Sequence, residues 1–235
     1  MMEQIPLRMR LRDTARFASF VVGANAQACA ALRGERPSAP PVVWVWGRAG
    51  TGKSHLLQAA CAEAGERNAA AAYIDLALAP SSAMLDGCDV LELVCLDGLD
   101  AVAADPDWNA AIFRLHTLLQ DGTGRLVVAS GAPPASLPFT LPDLRSRLLA
   151  ADVHQLAELD EAGQCEALRV RAAGRGLELS EEAALYLVHR LPRDLHSLFA
   201  VLDQLDEASL AAQRKLTVPF LRNALENVLG DKNRA

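Results

Sequence analysis

Gly47-Arg48-Ala49-Gly50-Thr51-Gly52-Lys53-Ser54 decides the fold of this chain. The spacing is that of the P-loop, G-x-x-x-x-G-K-[ST]. Its glycines let backbone N–H groups turn inward around a phosphate. Lys53 can reach β- and γ-phosphates, and the Ser54 hydroxyl can ligate Mg²⁺. The flanks turn the pattern into a structural unit. Pro41-Val42-Val43-Trp44-Val45-Trp46, an apolar β-branched and aromatic run, predicts a buried strand. His55 to Glu63 predicts a helix. Strand, glycine loop and helix together predict a nucleotide site, to which Arg48, Ala49, Thr51 and His55 contribute by position. Trp44 and Trp46 read as strand-face packing rather than a stacking platform.

The pattern spreads outward from this unit. Asn25 to Leu32 reads as an Ala-rich helix, and Gly34 to Pro41 as a linker with three prolines. Ala70 to Leu76 has a strand-like centre at Tyr73-Ile74-Asp75. Val90 to Leu96 reads as a buried strand. Asp105-Pro106 predicts a helix start, with Asp105 as N-cap and Pro106 in the first turn. Trp108, Ile112, Leu115, Leu118 and Leu119 have helical spacing. Leu126 to Ser130 is another short strand. Alternating strands and helices predict a parallel sheet covered on both faces. From about residue 155 the pattern changes to helices alone, over 160–173, 180–191, 194–208 and 217–229. The expected division is residues 1–16 as an N-terminal peptide, 17–155 as an α/β nucleotide-binding domain, and 156–235 as a small helical domain.

Bulk properties exclude several classes. The chain has 235 residues, formal net charge −6 and pI about 5.4. That balance argues against binding DNA by bulk attraction to phosphate. No run of eighteen apolar residues predicts a membrane span, and the N-terminus lacks the apolar stretch of a signal peptide. The five cysteines contain no C-x-x-C pair and read as small buried hydrophobes of a reducing cytoplasm. A zinc site is not expected.

A P-loop needs a carboxylate for the Mg²⁺ shell. Leu93-Val94-Cys95-Leu96-Asp97 supplies one at a strand end, and an adjacent parallel strand would bring Asp97 close to Ser54. Gly98 follows, where many such ATPases carry a water-activating glutamate. Asp100 is the nearest later carboxylate, three residues on. Autonomous hydrolysis is therefore expected to be weak or absent.

These residues resemble a family. The P-loop, the Leu96-Asp97 strand end and the helical C-terminal part are similar to AAA+ ATPases of the DnaA class, and more narrowly to Hda-like regulators of the DnaA family. Phe17 to Asn25, with Phe20 and Val21, resembles the segment that flanks adenine. Leu141-Pro142-Asp143-Leu144-Arg145-Ser146-Arg147-Leu148 resembles box VII, with Arg147 as the arginine finger and Arg145 as the other candidate. Leu191-Pro192-Arg193-Asp194-Leu195 resembles the start of the sensor II helix, with Arg193 reaching the nucleotide. Ser130 sits where a polar sensor I residue is usual. The segments 202–206 and 212–217 are similar to the closing part of the family. The chain stops near residue 235, where full-length initiators continue into a DNA-binding domain. Gln4-Ile5-Pro6-Leu7-Arg8-Met9 resembles the short motif that binds the DNA polymerase sliding clamp. Leu7 and Met9 would fill an apolar pocket and the Gln4 amide would bond its wall.

The resemblance implies a P-loop AAA+ three-layer parallel-sheet domain followed by an all-helical lid. It implies ADP or ATP with Mg²⁺ as ligands, with Ser54 and Asp97 on the metal. It implies the sliding clamp (β subunit) and DnaA as partners, with Arg147 completing DnaA's own ATP site. Strong direct DNA binding is not expected, and the chain could be a monomer or a homodimer. Two other readings remain open on the sequence. One is a DnaA-related ATPase that acts on DNA directly or loads replication proteins. The other is a P-loop enzyme that phosphorylates a small molecule, for which no acceptor pocket or base is identifiable.

Overall fold

The computed structural model describes residues 15–35, 42–191, 194–212, 218–219 and 221–222. The Gln4–Met9 peptide, Arg193 and most of the helix expected over 217–229 lie outside the described residues.

Five parallel strands form one sheet: β1 (Val42–Trp46), β2 (Ala71–Asp75), β3 (Leu93–Asp97), β4 (Arg125–Ser130) and β5 (Asp152–Gln155), in the order β2-β3-β4-β1-β5. The helices bounded within the described residues are α1 (Ala26–Arg33), α2 (Lys53–Glu66), α3 (Pro106–Asp121), α4 (Pro142–Leu149), α5 (Glu161–Gly174), α6 (Glu181–Arg190) and α7 (Leu195–Ala212). This is a P-loop α/β domain followed by a helical lid.

β1 explains why its sequence is apolar throughout. It lies between β4 and β5, with Trp44 paired to Val128 on one side and Val153 on the other. A strand buried on both faces has no polar side to show. Val42 and Trp44 enter the core that α3 and α4 cover, whereas Val43 and Val45 enter the core under α1 and α2. Trp44 is fully buried, its indole N–H donating to the Ala132 carbonyl at 3.3 Å and its ring edge-on to Phe139. Trp46 packs partly buried against the same core. Both tryptophans are therefore packing residues.

α3 starts where its sequence says. The Asp105 carboxylate accepts from the backbone N–H of Asp107 at 2.8 Å and of Trp108 at 3.3 Å, with Pro106 in the first turn. These bonds satisfy donors that the helix itself leaves unpaired. Asp105→Ala is expected to cost about 1 kcal/mol, read as a melting temperature lower by about 2–4 °C. Trp108, Ile112, Leu115 and Leu119 are buried, but Leu118 is half exposed and does not belong to the packing stripe. Asn109 and His116 are the polar residues on the buried face, and Asn109 is fully bonded. Its amide donates to the Ala103 and Asp105 carbonyls and its oxygen accepts from Thr140 N–H, tying α3 to the loop before α4.

Three further expectations are corrected. The strand expected from Val90 begins at Leu93; Val90 ends a short 3₁₀ turn and is 79% exposed. β5 was not expected, because an edge strand reading Asp-Val-His-Gln carries little apolar signal and only Val153 is hydrophobic. β3 is not adjacent to the P-loop strand, since β4 lies between them.

The lid has its own core. Leu168, Ala183, Ala184, Leu187, Leu198 and Leu202 meet there with little or no exposure. The Asp160 and Ser180 side chains cap α5 and α6 through the N–H groups of Gly163 and Ala183. Asp203 on α7 accepts from Arg171 and pairs with Arg175, both on or just after α5.

Candidate nucleotide site

The glycine loop connects the end of β1 to the start of α2. Three of its glycines are enforced by their surroundings. A side chain at Gly47 would come within 2.9 Å of the Leu156 carbonyl. Gly50 and Gly52 adopt φ of +82° and +91°, in the left-handed region that favours glycine. A side chain at Gly52 would also come within 2.7 Å of the Phe20 ring. Thr51, buried inside the loop, donates its hydroxyl to the Arg48 carbonyl at 2.9 Å. α2 then opens with its free N–H groups and positive dipole end at the loop, which favours an anion there.

Lys53 spans the loop. Its ammonium donates to the Gly47 carbonyl at 2.7 Å and the Arg48 carbonyl at 2.8 Å. Burial pulls its pKa below the usual lysine value, and the nearby Asp97 and Asp100 carboxylates oppose that pull. The cleft beside it has a volume of about 450 Å³ and is lined by Gly47, Lys53, Gly98, Asp100, Ser130 and Gly131 among others.

Asp97 ends β3 and is only 7% exposed. Its Oδ2 accepts a hydrogen bond of 2.7 Å from the Tyr73 hydroxyl on β2. Its charge reaches Lys53 across the end of β4, rather than from a neighbouring strand. Gly98 then turns the backbone at φ +73°, and the short 3₁₀ turn Leu99–Ala101 swings Asp100 toward the cleft. Asp100 Oδ1 accepts from the Gly131 N–H at 2.9 Å. Three residues in sequence are thus cancelled by one turn in space. Ser130 is buried at the end of β4 and lines the cleft, with its hydroxyl donating to the Ala132 carbonyl.

The N-terminal segment closes one side. His55 Nε2 lies 2.9 Å from the Arg16 carbonyl and 3.3 Å from Ser19 Oγ, and its ring tilts against Phe20 at 5.8 Å. His55 therefore holds the segment that puts Phe20 over Gly52. Val21 is half-buried beside it. Asn25, 4% exposed, completes the attachment by bonding both the N–H and the carbonyl of Ala157, at 2.8 and 3.2 Å.

The residues present fit a nucleotide and its metal. The loop puts the Lys53 ammonium and the free N–H groups of α2 together beside the cleft, where phosphate oxygens would be held. The oxygen-donor set of Ser54 and Asp97 suits Mg²⁺, which takes few protein ligands and completes its shell from phosphates and water. No cluster of three or more His, Cys, Asp or Glu that could hold a metal alone occurs among the described residues.

Residues 150–225 match the family model described as Hda, lid domain. The helical part of this chain is similar to the lid of that family. The whole fold is similar to domain III of the Thermotoga maritima replication initiation protein DnaA, with a TM-score of 0.78 at 19% identity over 92% of this chain and 97% of that one. AMPPCP-bound DnaA from Aquifex aeolicus matches with a TM-score of 0.66 at 21% identity over 83% of this chain and 65% of that one. A DNA replication initiation factor matches with a TM-score of 0.69 at 20% identity, and the chain spans 64% of its length. The Hda-like resemblance read from the sequence is thus met by the family model over the lid, and the fold as a whole is that of the DnaA structures.

The two arginines of Leu141–Leu148 take different settings. Arg147 on α4 is half-buried. Its guanidinium lies 4.5 Å from the Phe113 ring centroid and donates to Thr117 Oγ1 at 3.0 Å, both on α3, with His116 Nδ1 at 3.3 Å. Burial and the Arg147 charge hold the His116 pKa below the usual value. Arg145 is exposed. Neither was expected to pack inside its own chain. Sequence reasoning also missed Tyr73, Asn25 and Gly131, and discounted Asp100. The signal for Asp100 was a second acid just beyond a glycine. Asn25, read as a plain helix start, gave no sign of its distant partner. No described helix is long and apolar enough to cross a membrane.

Proposed function

We propose that this chain is a nucleotide-bound regulator of the replication initiator DnaA. It holds ADP or ATP with Mg²⁺ at Gly47–Ser54, acts in the cytoplasm, and docks on the sliding clamp through Gln4, Ile5, Pro6, Leu7 and Met9. It then contacts ATP-bound DnaA as one AAA+ module contacts the next, so that the ATP hydrolysed belongs to the partner. The observation that carries this reading is the glycine loop and Lys53 facing a cleft beside Asp97 and Asp100, on a base followed by an Hda lid. When bound, Mg²⁺ neutralises phosphate charge. Lys53 and the α2 N-terminus hold the phosphates, Ser54 and Asp97 offer oxygens to the metal, and Phe20 and Val21 flank the base. Arg193 reads the nucleotide from the lid, and Arg147 is the finger offered to DnaA.

The test measures hydrolysis of DnaA-bound ATP with clamp loaded on DNA. Wild-type chain should accelerate it, and the Gln4→Ala/Leu7→Ala double variant should lose both clamp pull-down and acceleration while still binding nucleotide. Clamp-independent acceleration would remove the docking step. The net charge of −6 disfavours direct action on DNA. Salt-dependent binding to single-stranded DNA by the purified chain would replace the regulatory reading with that one.

A further inference from the structure

The metal-side carboxylate has an unexpected partner. β2 and β3 pair in parallel with Tyr73 opposite Cys95 and Asp75 opposite Asp97. Side chains alternate along strands, so Tyr73 and Asp97 are diagonal neighbours on one sheet face. The Tyr73 hydroxyl donates to Asp97 Oδ2 at 2.7 Å, within the range of a charge-assisted bond. Oδ1 accepts no hydrogen bond in the described residues. Ser54 stands in the first turn of α2, and β1 and β3 are not neighbours, so no direct ladder between those two strands sets Asp97 relative to the P-loop. The Tyr73 hydrogen bond fixes the orientation of the Asp97 carboxylate itself.

We infer that Tyr73 is a positioning residue for Mg²⁺, acting through Asp97: it occupies Oδ2 and presents Oδ1 to the metal shell. The inference rests on the nucleotide–Mg²⁺ reading above. Burial and the adjacent carboxylate push the phenol pKa up, so the hydroxyl stays a donor at any working pH. Outer partners of metal ligands typically contribute 10–100-fold to metal affinity, and one hydrogen bond to one carboxylate belongs near the lower end.

The experiment titrates a fluorescent ADP analogue in EDTA, then Mg²⁺ into the protein–nucleotide mixture, for wild type, Tyr73→Phe, Asp97→Asn and the double variant. The expected result is unchanged affinity in EDTA for Tyr73→Phe, with a Mg²⁺ midpoint raised about 10-fold. Asp97→Asn should lose the Mg²⁺-dependent gain, and adding Tyr73→Phe to it should change nothing further, since the two act in series. An unchanged Mg²⁺ midpoint for Tyr73→Phe, with a lowered melting temperature, overturns the inference and leaves the phenol as a partner for a buried charge. Wild-type protein that binds the analogue without any response to Mg²⁺ overturns it too. Failure of wild type to bind the analogue at all refutes the nucleotide reading itself, and the inference falls with it.

Discussion

Arg147→Ala is expected to leave nucleotide and clamp binding intact while lowering the acceleration of DnaA-bound ATP hydrolysis by roughly 10³-fold or more, the scale of an arginine supplied in trans. The structure makes this a contest between two settings for one guanidinium. In its own chain Arg147 gains a cation–π contact with Phe113 and a hydrogen bond to Thr117. At a partly exposed site those contribute about 0.5–1 and about 1 kcal/mol. A transferring phosphoryl group offers two charge-assisted bonds of about 1.5–3 kcal/mol each. On the proposed function the partner's phosphate outcompetes these contacts, and docking is expected to release Arg147 from α3. Thr117→Val should make that release easier and leave acceleration at or above wild type. Arg145 supplies the control, because it is exposed. If Arg145→Ala removes acceleration and Arg147→Ala only lowers the melting temperature, the finger is Arg145 and Arg147 is a brace between α4 and α3.

Lys53→Ala is expected to weaken ADP and ATP binding by roughly 10²–10⁴-fold, from the loss of one or two charge-assisted bonds of about 1.5–3 kcal/mol each. The direction follows from what remains. Without the ammonium, the cleft keeps Asp100 in its lining, with the buried Asp97 close behind, and neither favours an anionic ligand. The fold should survive, since Lys53 bonds only loop carbonyls and belongs to no hydrophobic cluster. Equilibrium titration with a fluorescent nucleotide measures the effect, and near-unchanged affinity would refute the P-loop assignment.

Much of this was legible in the sequence, for physical reasons that differ by element. β1, β3 and β4 are buried on both faces, so their sequences are apolar runs bounded by glycine or polar residues. α3 carries its own start signal in Asp105-Pro106. The P-loop is legible because phosphate binding demands glycine at fixed spacings. β5 was not legible, because an edge strand needs few apolar residues, and its backbone pairing leaves no trace in side-chain chemistry. The order of the strands was not legible either. Asp97 was expected beside the P-loop strand; β4 lies between them, and Asp97 is instead oriented by Tyr73 on the other neighbouring strand. Asp100 was discounted by counting along the chain, which ignores the turn at Gly98.

The place of β1 in the sheet also has a consequence in time. Both neighbours of Val42–Trp46 come late: Val42 pairs with Leu126 and Val43 with Asp152. At about 5–20 residues per second, a ribosome that has released β1 needs on the order of 4–16 s to deliver β4, and longer to deliver β5. Through that interval Val-Val-Trp-Val-Trp, a charge-free stretch of strong strand formers, has no sheet to join. A strand buried between two neighbours in the finished protein is thus an adhesive segment during synthesis, and the yield of active chain should depend on what shields those five residues until the other half arrives.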